Sequence, residues 1–495
     1  MRMQALVEGV EVVEFIGDGG VEVTSVTHES RRVAPGALFA CIPGAHADGH
    51  DYAAAAVAAG AVALLTERPL GLEVTEAVVP STRVALGPIS AKLFGTPSQA
   101  MRCLGVTGTN GKTTTTYLLE AIAHAAGDRV GVVGTTGARI DGVVVPLVHT
   151  TPEAPELQAL LAQMRDADVA VVAMEVSSHA LAQHRVDGTR FAVVCFTNLS
   201  HDHLDFHGDV ASYFAAKARL FSPVFADTAV VNLDDEHGRV LAVRARPSGL
   251  GVVTYGIDDA GADVRATEIE VRRDGTGFTL HDGVVGRSAR VESRLLGRFN
   301  VANALAAAAT ARAIDVDFDT VVPGLGRDLV VPGRLEAVGG AQPFTVLVDY
   351  AHTPDALAQA LVATRAIADG GRVIVVFGCG GDRDHDKRAA MGTVAASGAD
   401  LVFVTNDNPR SESPENIAAE VIAGTSEVGR SVGAEVVVDL DRRSAIHAAL
   451  VAAGAGDVVL VAGKGHETTQ TAKGATIAFD DRVVAREELQ GLSWS

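Results

Sequence analysis

At 495 residues the chain exceeds what one hydrophobic core usually supports, so two to four domains are expected. Apolar residues make up 47% and aromatic residues only 4%, a balance that favours α/β layers over a β-sandwich. A net charge of −20 excludes nucleic acid or an acidic membrane as the main partner, since both demand a basic surface, but leaves room for local basic pockets around phosphorylated ligands.

The four cysteines, Cys41, Cys103, Cys195 and Cys379, are scattered without a CxxC pair, which argues against a disulfide framework or a zinc site. Cys103 and Cys195 fall in apolar, strand-like runs and read as core. Glu8 comes too early for a secretory signal, and the longest uncharged apolar stretch, 52–66, is too short for a bilayer and is broken by Gly60. A cytoplasmic protein without membrane insertion is expected.

In chain order, residues 1–98 hold short β-patterned runs and an Ala-rich helix expected to be capped by Asp51 and closed at Gly60, followed by a strand at 61–65. Gly95-Thr96-Pro97 punctuates the exit from this small α/β domain. From 99 to 331, strand and helix patterns alternate, with buried parallel strands expected at 103–106, 130–133, 169–176, 191–196 and 229–232. An alternating stretch at 263–280 contains Arg273-Asp274-Gly275-Thr276-Gly277, a hairpin signal, and helix resumes at 301–313. A Gly/Pro-rich stretch at 323–333 marks the next boundary. Beyond it, strands expected at 344–348, 372–377, 401–405, 435–438 and 457–461 alternate with helices. The expected fold class is α/β with three domains: a small N-terminal α/β domain (1–98), a central P-loop domain with a parallel sheet and an antiparallel annex (99–331), and a C-terminal Rossmann-like doubly wound domain (332–495).

Gly108-Thr109-Asn110-Gly111-Lys112-Thr113-Thr114 lies between the strand at 103–106 and a helical pattern starting near Thr113. A strand that turns through glycines into a helix aims backbone N–H groups and the positive helix end at one point, which suits phosphate. The motif departs from a strict Walker A because Val106 stands where the first glycine belongs. In this reading Lys112 meets the β/γ-phosphates of a nucleotide and the Thr113 hydroxyl holds Mg²⁺.

Three further segments carry candidate chemistry. Glu175, at the carboxyl end of a buried strand, is either a Mg²⁺ ligand or a structural acid. The run from Asn198 to Gly208 is crowded with histidines and aspartates; some must cap the following helix, and His203 with one acid is the best candidate to act. Lys217 shares the apolar face of a helix with Tyr213, Leu220 and Phe221, where a lysine ordinarily snorkels to solvent.

Taken together, these segments resemble the Mur ligases, the ATP-dependent amino acid ligases of peptidoglycan precursor assembly, and among them the UDP-N-acetylmuramoyl-tripeptide synthetases of MurE type. The resemblance runs through Ser30 to Phe39, the nucleotide loop, Thr150-Thr151-Pro152-Glu153, Glu175 to His179, Asp202-His203-Leu204-Asp205, Tyr213 to Lys217, Asp349 to Pro354, Gly378 to Asp384, Asp407-Asn408-Pro409-Arg410 and Gly463 to Glu467. It implies that ATP phosphorylates the carboxylate of UDP-N-acetylmuramoyl-L-alanyl-D-glutamate and that an amine displaces the phosphate. ATP would be held by Gly108 to Thr114, Asn300, Asn303, Arg334, Asp349 and His352. Mg²⁺ would be held by Thr113, Glu175, His203 and a carbamylated Lys217, with Lys112, Lys217 and His203 serving catalysis. Ser30, His46, Thr150, Thr151, Glu153, Ser177, Gln183 and Arg185 would bind the nucleotide-sugar peptide.

The resemblance also implies an amine substrate held by Arg383, Asp407, Asn408, Pro409, Arg410, Gly463 and Glu467. Guanidinium groups pair with a distal carboxylate, which meso-diaminopimelate has and lysine lacks, so diaminopimelate is the expected substrate. A lysine-adding ligase, a folylpolyglutamate-type ligase and a P-loop regulatory ATPase or binding module are the alternatives. A monomer is expected.

Overall fold

A computed structural model describes residues 1–44, 47–426 and 434–492. In the first part, Glu14–Ile16, Thr75–Val78, Ala61–Thr66, Ala37–Ala40 and Ser25–Thr27 form a sheet in that order, parallel except for its first strand. The expected cap at Asp51 is corrected. Gly49–Tyr52 folds as a 3-10 turn ahead of the helix Ala53–Ala58, so the capping role moves upstream to Asp48, whose carboxylate accepts from the His50 amide at 3.0 Å. Gly60 does close the segment, at φ +111°.

The central sheet runs, edge to edge, Arg287–Ser293, Gly275–Asp282, Val264–Arg272, Gly251–Gly256, Ala226–Asn232, Phe191–Phe196, Arg102–Thr107, Val171–Glu175, Val130–Gly134, Gly137–Ile140 and Val143–Val145. Its middle is parallel. The hairpin at 273–277 and the antiparallel annex are present; the annex continues the parallel sheet at one edge, and a second antiparallel pair closes the opposite edge. Successive strand residues face opposite sides. Leu104, Val106, Val193 and Cys195 therefore pack with the helices Lys112–Ala125, Arg298–Arg312 and Phe318–Leu325. Cys103, Val172, Val194 and Phe196 pack with Ala154–Asp166 and Glu236–Ala245 on the other side.

The first part of the Gly/Pro-rich stretch at 323–333 is helical. Pro323 and Gly324 lie inside the helix Phe318–Leu325, and the link to the third sheet begins after it. Burial of Phe318, Val321 and Leu325 outweighs the proline, and a side chain at Gly324 would run into Ile122.

The third sheet orders Glu336–Val338, Thr345–Asp349, Val458–Ala462, Val373–Phe377, Leu401–Val404 and Glu435–Val438, all parallel but the first. Val373, Val375 and Phe377 face the helices Pro354–Ala368, Asp386–Gly398 and Pro414–Thr425, whereas Ile374 and Val376 face Arg442–Ala452 and Asp481–Gly491. The sheet is thus doubly wound. A two-stranded ribbon, Thr469–Ala472 with Ala475–Ala478, leans on the loop after Val404. All four cysteines are buried and free.

Candidate active site

Arg102–Thr107 lies between Val171–Glu175 and Phe191–Phe196, and the chain leaves it in one direction before returning to the other side. The carboxyl ends of neighbouring strands at such a switch point form a crevice. These three ends deliver the glycine loop, Glu175, and the segment bearing Asp202 and His203.

The loop turns at Gly108 (φ +147°) and Gly111 (φ +88°), backbone that side chains rarely adopt. Any side chain at Gly111 would also collide with Asn303. The loop is tied to the next strand: the Thr109 amide donates to the Asn198 carbonyl at 2.8 Å, and the Asn110 amide to Asn198 Oδ1 at 2.9 Å. Lys112 Nζ donates to the Gly108 and Thr109 carbonyls at 2.9 and 2.8 Å. Burial lowers its pKa, against the opposing pull of Glu175.

Glu175 is buried and accepts from Thr135 N at 2.9 Å and Thr135 Oγ1 at 3.0 Å. Lys217 does not snorkel. It is only 1% exposed, its Nζ donates to the Gly108 carbonyl at 2.8 Å and lies 4.5 Å from the centre of the Tyr213 ring. Burial, then the nearby charge of Lys112, hold this amine well below the ordinary lysine pKa. His203 sits in left-handed backbone (φ +55°), with Nε2 3.3 Å from Asp202 and its ring 4.8 Å from His179. Burial disfavours the charged form of both imidazoles.

The third domain closes the opposite wall. Arg334 Nη2 donates to Thr113 Oγ1 at 3.1 Å, and the guanidinium stacks on Tyr350. Asp349 holds the arginine-bearing turn in place by accepting from the Leu335 amide at 2.7 Å and the Ala351 amide at 2.8 Å. His352 Nδ1 lies 2.7 Å from the Tyr350 carbonyl; donation there leaves Nε2 as the ring's acceptor. Asn110 Nδ2 donates to Asp355 across the same cleft at 3.2 Å. Asn110, Arg334, Asp349, Tyr350 and His352, with Thr113, Thr135, Glu175 and Lys217, line a cavity of about 220 Å³.

A neighbouring groove of about 480 Å³ combines Tyr255, Ile257, Val271 and Phe299 with Asn303, Asp234 and Asp258. Apolar walls with a few polar groups suit a flat heteroaromatic ring and a sugar. Asn300 is placed behind this groove: it donates to the Leu296 carbonyl and accepts from Asn303 Nδ2 at 3.0 Å.

Of the residues expected to hold the nucleotide-sugar peptide, Thr150 and Ser177 line the 220 Å³ cavity. Thr151, Glu153, Gln183 and Arg185 form a network beside it, in which Arg185 lies 2.9 Å from Glu153 and donates to Gln183 at 2.6 Å and to the Thr151 carbonyl at 3.2 Å. Ser30 begins the turn Ser30–Arg32, whose Arg32 lies 3.5 Å from Glu156 in the first turn of the helix after Glu153, and His46 lies outside the described residues.

Arg383, Asp407, Asn408, Arg410, Gly463 and Glu467 line one further cavity of about 270 Å³. Pro409 does not; its carbonyl accepts from the Glu412 amide and shapes the loop. Arg410 has φ +53° and donates to the Gly381 carbonyl at 2.7 Å, while Arg383 is exposed. Asp202, His203, Tyr350 and His352 line this cavity and the 220 Å³ cavity alike. Thr135 and Tyr350 on the 220 Å³ cavity, and Lys387 on the 270 Å³ one, were not singled out from the sequence. Tyr350 lay within a quoted motif, whereas nothing local marks Thr135 or Lys387.

Family models match most of the chain: the Mur ligase middle domain at residues 106–311, the Mur ligase glutamate ligase domain at 333–465, and the Mur ligase family catalytic domain at 22–92. The UDP-N-acetylmuramoyl-L-alanyl-D-glutamate--2,6-diaminopimelate ligase of Xanthomonas campestris pv. campestris (strain 8004) is 45% identical over 474 residues, 95% of this chain and 94% of that protein. This chain belongs to the Mur ligase family. The like-named ligase of Streptomyces coelicolor is 44% identical to this Mur ligase, covering 96% of this chain and 94% of the relative. A solved structure of a ligase of that name superposes with a TM-score of 0.71 at 34% identity, over 99% of both chains. A MurF from Acinetobacter baumannii shares the fold of this Mur ligase, with a TM-score of 0.66 at 20% identity over 99% of this chain and 98% of that one.

Proposed function

We propose that this Mur ligase joins meso-2,6-diaminopimelate to UDP-N-acetylmuramoyl-L-alanyl-D-glutamate, converting ATP to ADP and phosphate, in peptidoglycan precursor synthesis. The observation that carries the reading is the shared wall. Asp202, His203, Tyr350 and His352 border both the phosphate-loop cavity and the arginine-rich cavity, so an activated carboxylate and an incoming amine would meet there.

The carboxylate oxygen attacks the γ-phosphorus and ADP leaves, giving an acyl phosphate. The neutral amine then attacks the carbonyl carbon, the nitrogen loses a proton, and phosphate departs as the amide forms. Lys112 and the helix N-terminus it begins neutralise the transferring phosphoryl group. Arg334 adds charge from the third domain, so phosphoryl transfer depends on the two domains meeting.

The donor set suits magnesium. Thr113 and Glu175 offer hard oxygens on one cavity wall, the type of ligand that this ion prefers. Bound there, Mg²⁺ would offset the charge of the ATP phosphates. Lys217 as an ammonium would repel the ion. Its burial supports the alternative that the neutral amine adds to CO₂ and releases a proton, which leaves a carbamate anion beside His203.

Residues 1–98 would then hold the uridine end of the acceptor, 99–331 the ATP, and 332–495 the amino acid. Arg410 and Arg383 would pair with the distal carboxylate of diaminopimelate. Among the described residues no helix is long and apolar enough to cross a membrane, which fits a reaction in the cytoplasm between water-soluble substrates.

The test is incubation with ATP, UDP-N-acetylmuramoyl-L-alanyl-D-glutamate and either meso-diaminopimelate or L-lysine. Tripeptide, ADP and phosphate in equal amounts with diaminopimelate are expected. Phosphate release without tripeptide, or equal use of lysine, would contradict the reading.

A further inference from the structure

Lys464 is a fully buried ammonium that no step above uses. It follows Gly463, which bends at φ +114°, and it is not one of the residues lining the 270 Å³ cavity, although its partners are. Its Nζ lies 3.1 Å from Glu467 Oε2, 3.5 Å from Asn408 Oδ1 and 3.6 Å from Asp407 Oδ1. Three protons thus face three oxygens, and each of those oxygens belongs to a residue on the cavity wall.

The partners are constrained further. Glu467 Oε2 also accepts from Asn408 Nδ2 at 2.9 Å, so both bonds fall on one carboxylate oxygen, and Oε1 takes part in neither. Asn408 Oδ1 accepts from the Thr471 amide at 3.0 Å as well, which commits the Asn408 side chain to protein partners at both ends. Asp407 and Glu467 would otherwise be two carboxylates gathered around one point, with Asp407 largely shielded from water. The buried cation compensates one of the two negative charges and leaves a net charge of about −1 for an incoming ammonium.

We propose that Lys464 is a positioning residue for the amino acid substrate: a buried counter-cation that holds Glu467 and Asp407, with Asn408 as the brace between them, so that the remaining carboxylate oxygens of Glu467 and Asp407 face the amine of the incoming molecule. The proposal rests on the reading of this cavity as the amino acid site. Lys464 touches no substrate atom and acts through Glu467 above all.

The experiment compares K464M, K464R, E467Q and the double variant K464M/E467Q in the full chain, with kcat and KM measured for all three substrates. Loss of one charged hydrogen bond corresponds to about a tenfold or larger change. K464M is expected to raise the KM for meso-diaminopimelate by about that factor, with the KM for ATP and for the nucleotide-sugar peptide unchanged within about twofold, and K464R is expected to recover most of the loss. The double variant is expected to fall within about twofold of E467Q, because the two residues act as a unit.

An unchanged diaminopimelate KM in K464M, an equal rise for all three substrates, or additive effects in the double variant would overturn the proposal. If K464M does not fold, the double variant against E467Q carries the test, since it removes the buried pair together; a further tenfold loss there would overturn it equally. A wild-type chain that makes no tripeptide would remove the functional reading itself, whereas an active wild type matched by K464M removes only the role of Lys464.

Discussion

Arg334 reaches Thr113 across the cleft: its Nη2 donates to the threonine hydroxyl at 3.1 Å while the guanidinium rests 4.6 Å from the centre of the Tyr350 ring. Thr113 stands in the first turn of the helix Lys112–Ala125, and Arg334 precedes the third sheet. One side chain therefore connects the phosphate loop to the domain that would bring the amine. Arg334→Ala is expected to lower kcat by about 10²-fold, the usual cost of losing one fixed charge facing a transferring group. Arg334→Lys should fall between, because it keeps the charge but not the planar fork. Steady-state kinetics with a far-ultraviolet circular dichroism control checks this, and a kcat within about twofold of wild type would contradict it.

Lys217 is held under Gly108 with its amine biased toward the neutral form. If the carbamate forms, Lys217→Ala should lose about 10²-fold or more in turnover, and millimolar propionate or acetate should restore part of it by supplying the missing carboxylate. Stripping CO₂ from the buffer should depress the wild type and leave the variant unchanged. A fully active Lys217→Ala would remove the carbamate from the account.

Arg410 is fixed by its left-handed backbone and by Gly381, and the ribbon strand Thr469–Ala472 supports its main chain, with the Arg410 amide donating to Thr471 at 3.0 Å. Arg410→Ala should raise the KM for meso-diaminopimelate by about ten- to a hundredfold and leave the KM for ATP within about twofold. Competition between diaminopimelate and lysine should narrow in the same variant. Unchanged discrimination would contradict the assignment of the distal carboxylate to this residue.

Buried Arg388 donates to both oxygens of Glu412 at 2.9 Å, and this hydrogen bonding brings the glutamate pKa down from 4.5 to about 2. A carboxyl whose pKa is lower in the folded state stabilises the fold above its unfolded pKa and loses that contribution as pH falls through the folded one. The difference in Tm between wild type and Glu412→Gln should therefore be largest near neutral pH and shrink from pH 4.5 toward 2. A difference that stays constant across that interval would show that Glu412 contributes nothing through its charge.

The buried parallel strands were legible because runs such as Phe191–Phe196 and Val373–Phe377 are apolar on both faces. The edge pair Gly137–Ile140 and Val143–Val145 was missed, since the first is of mixed polarity and the second is a run of only three valines, largely exposed. Spacing alone could not decide Lys217: a snorkelling lysine and a buried one occupy the same helix face, and only the loop folded over that face separates them. Asn300 and Asn303 looked equivalent in the sequence, yet a hydrogen bond of 3.0 Å places one behind the other. Pro323 misled for a related reason, because burial of Phe318, Val321 and Leu325 in its helix overrode its local preference.

The central claim is that ATP phosphorylates the acceptor carboxylate before the amine attacks. UDP-N-acetylmuramoyl-L-alanyl-D-glutamate labelled with ¹⁸O in its reacting carboxylate, incubated with ATP and meso-diaminopimelate, tests it directly. The account predicts one labelled oxygen in each phosphate released, matched one to one by tripeptide. Unlabelled phosphate formed alongside tripeptide would contradict it.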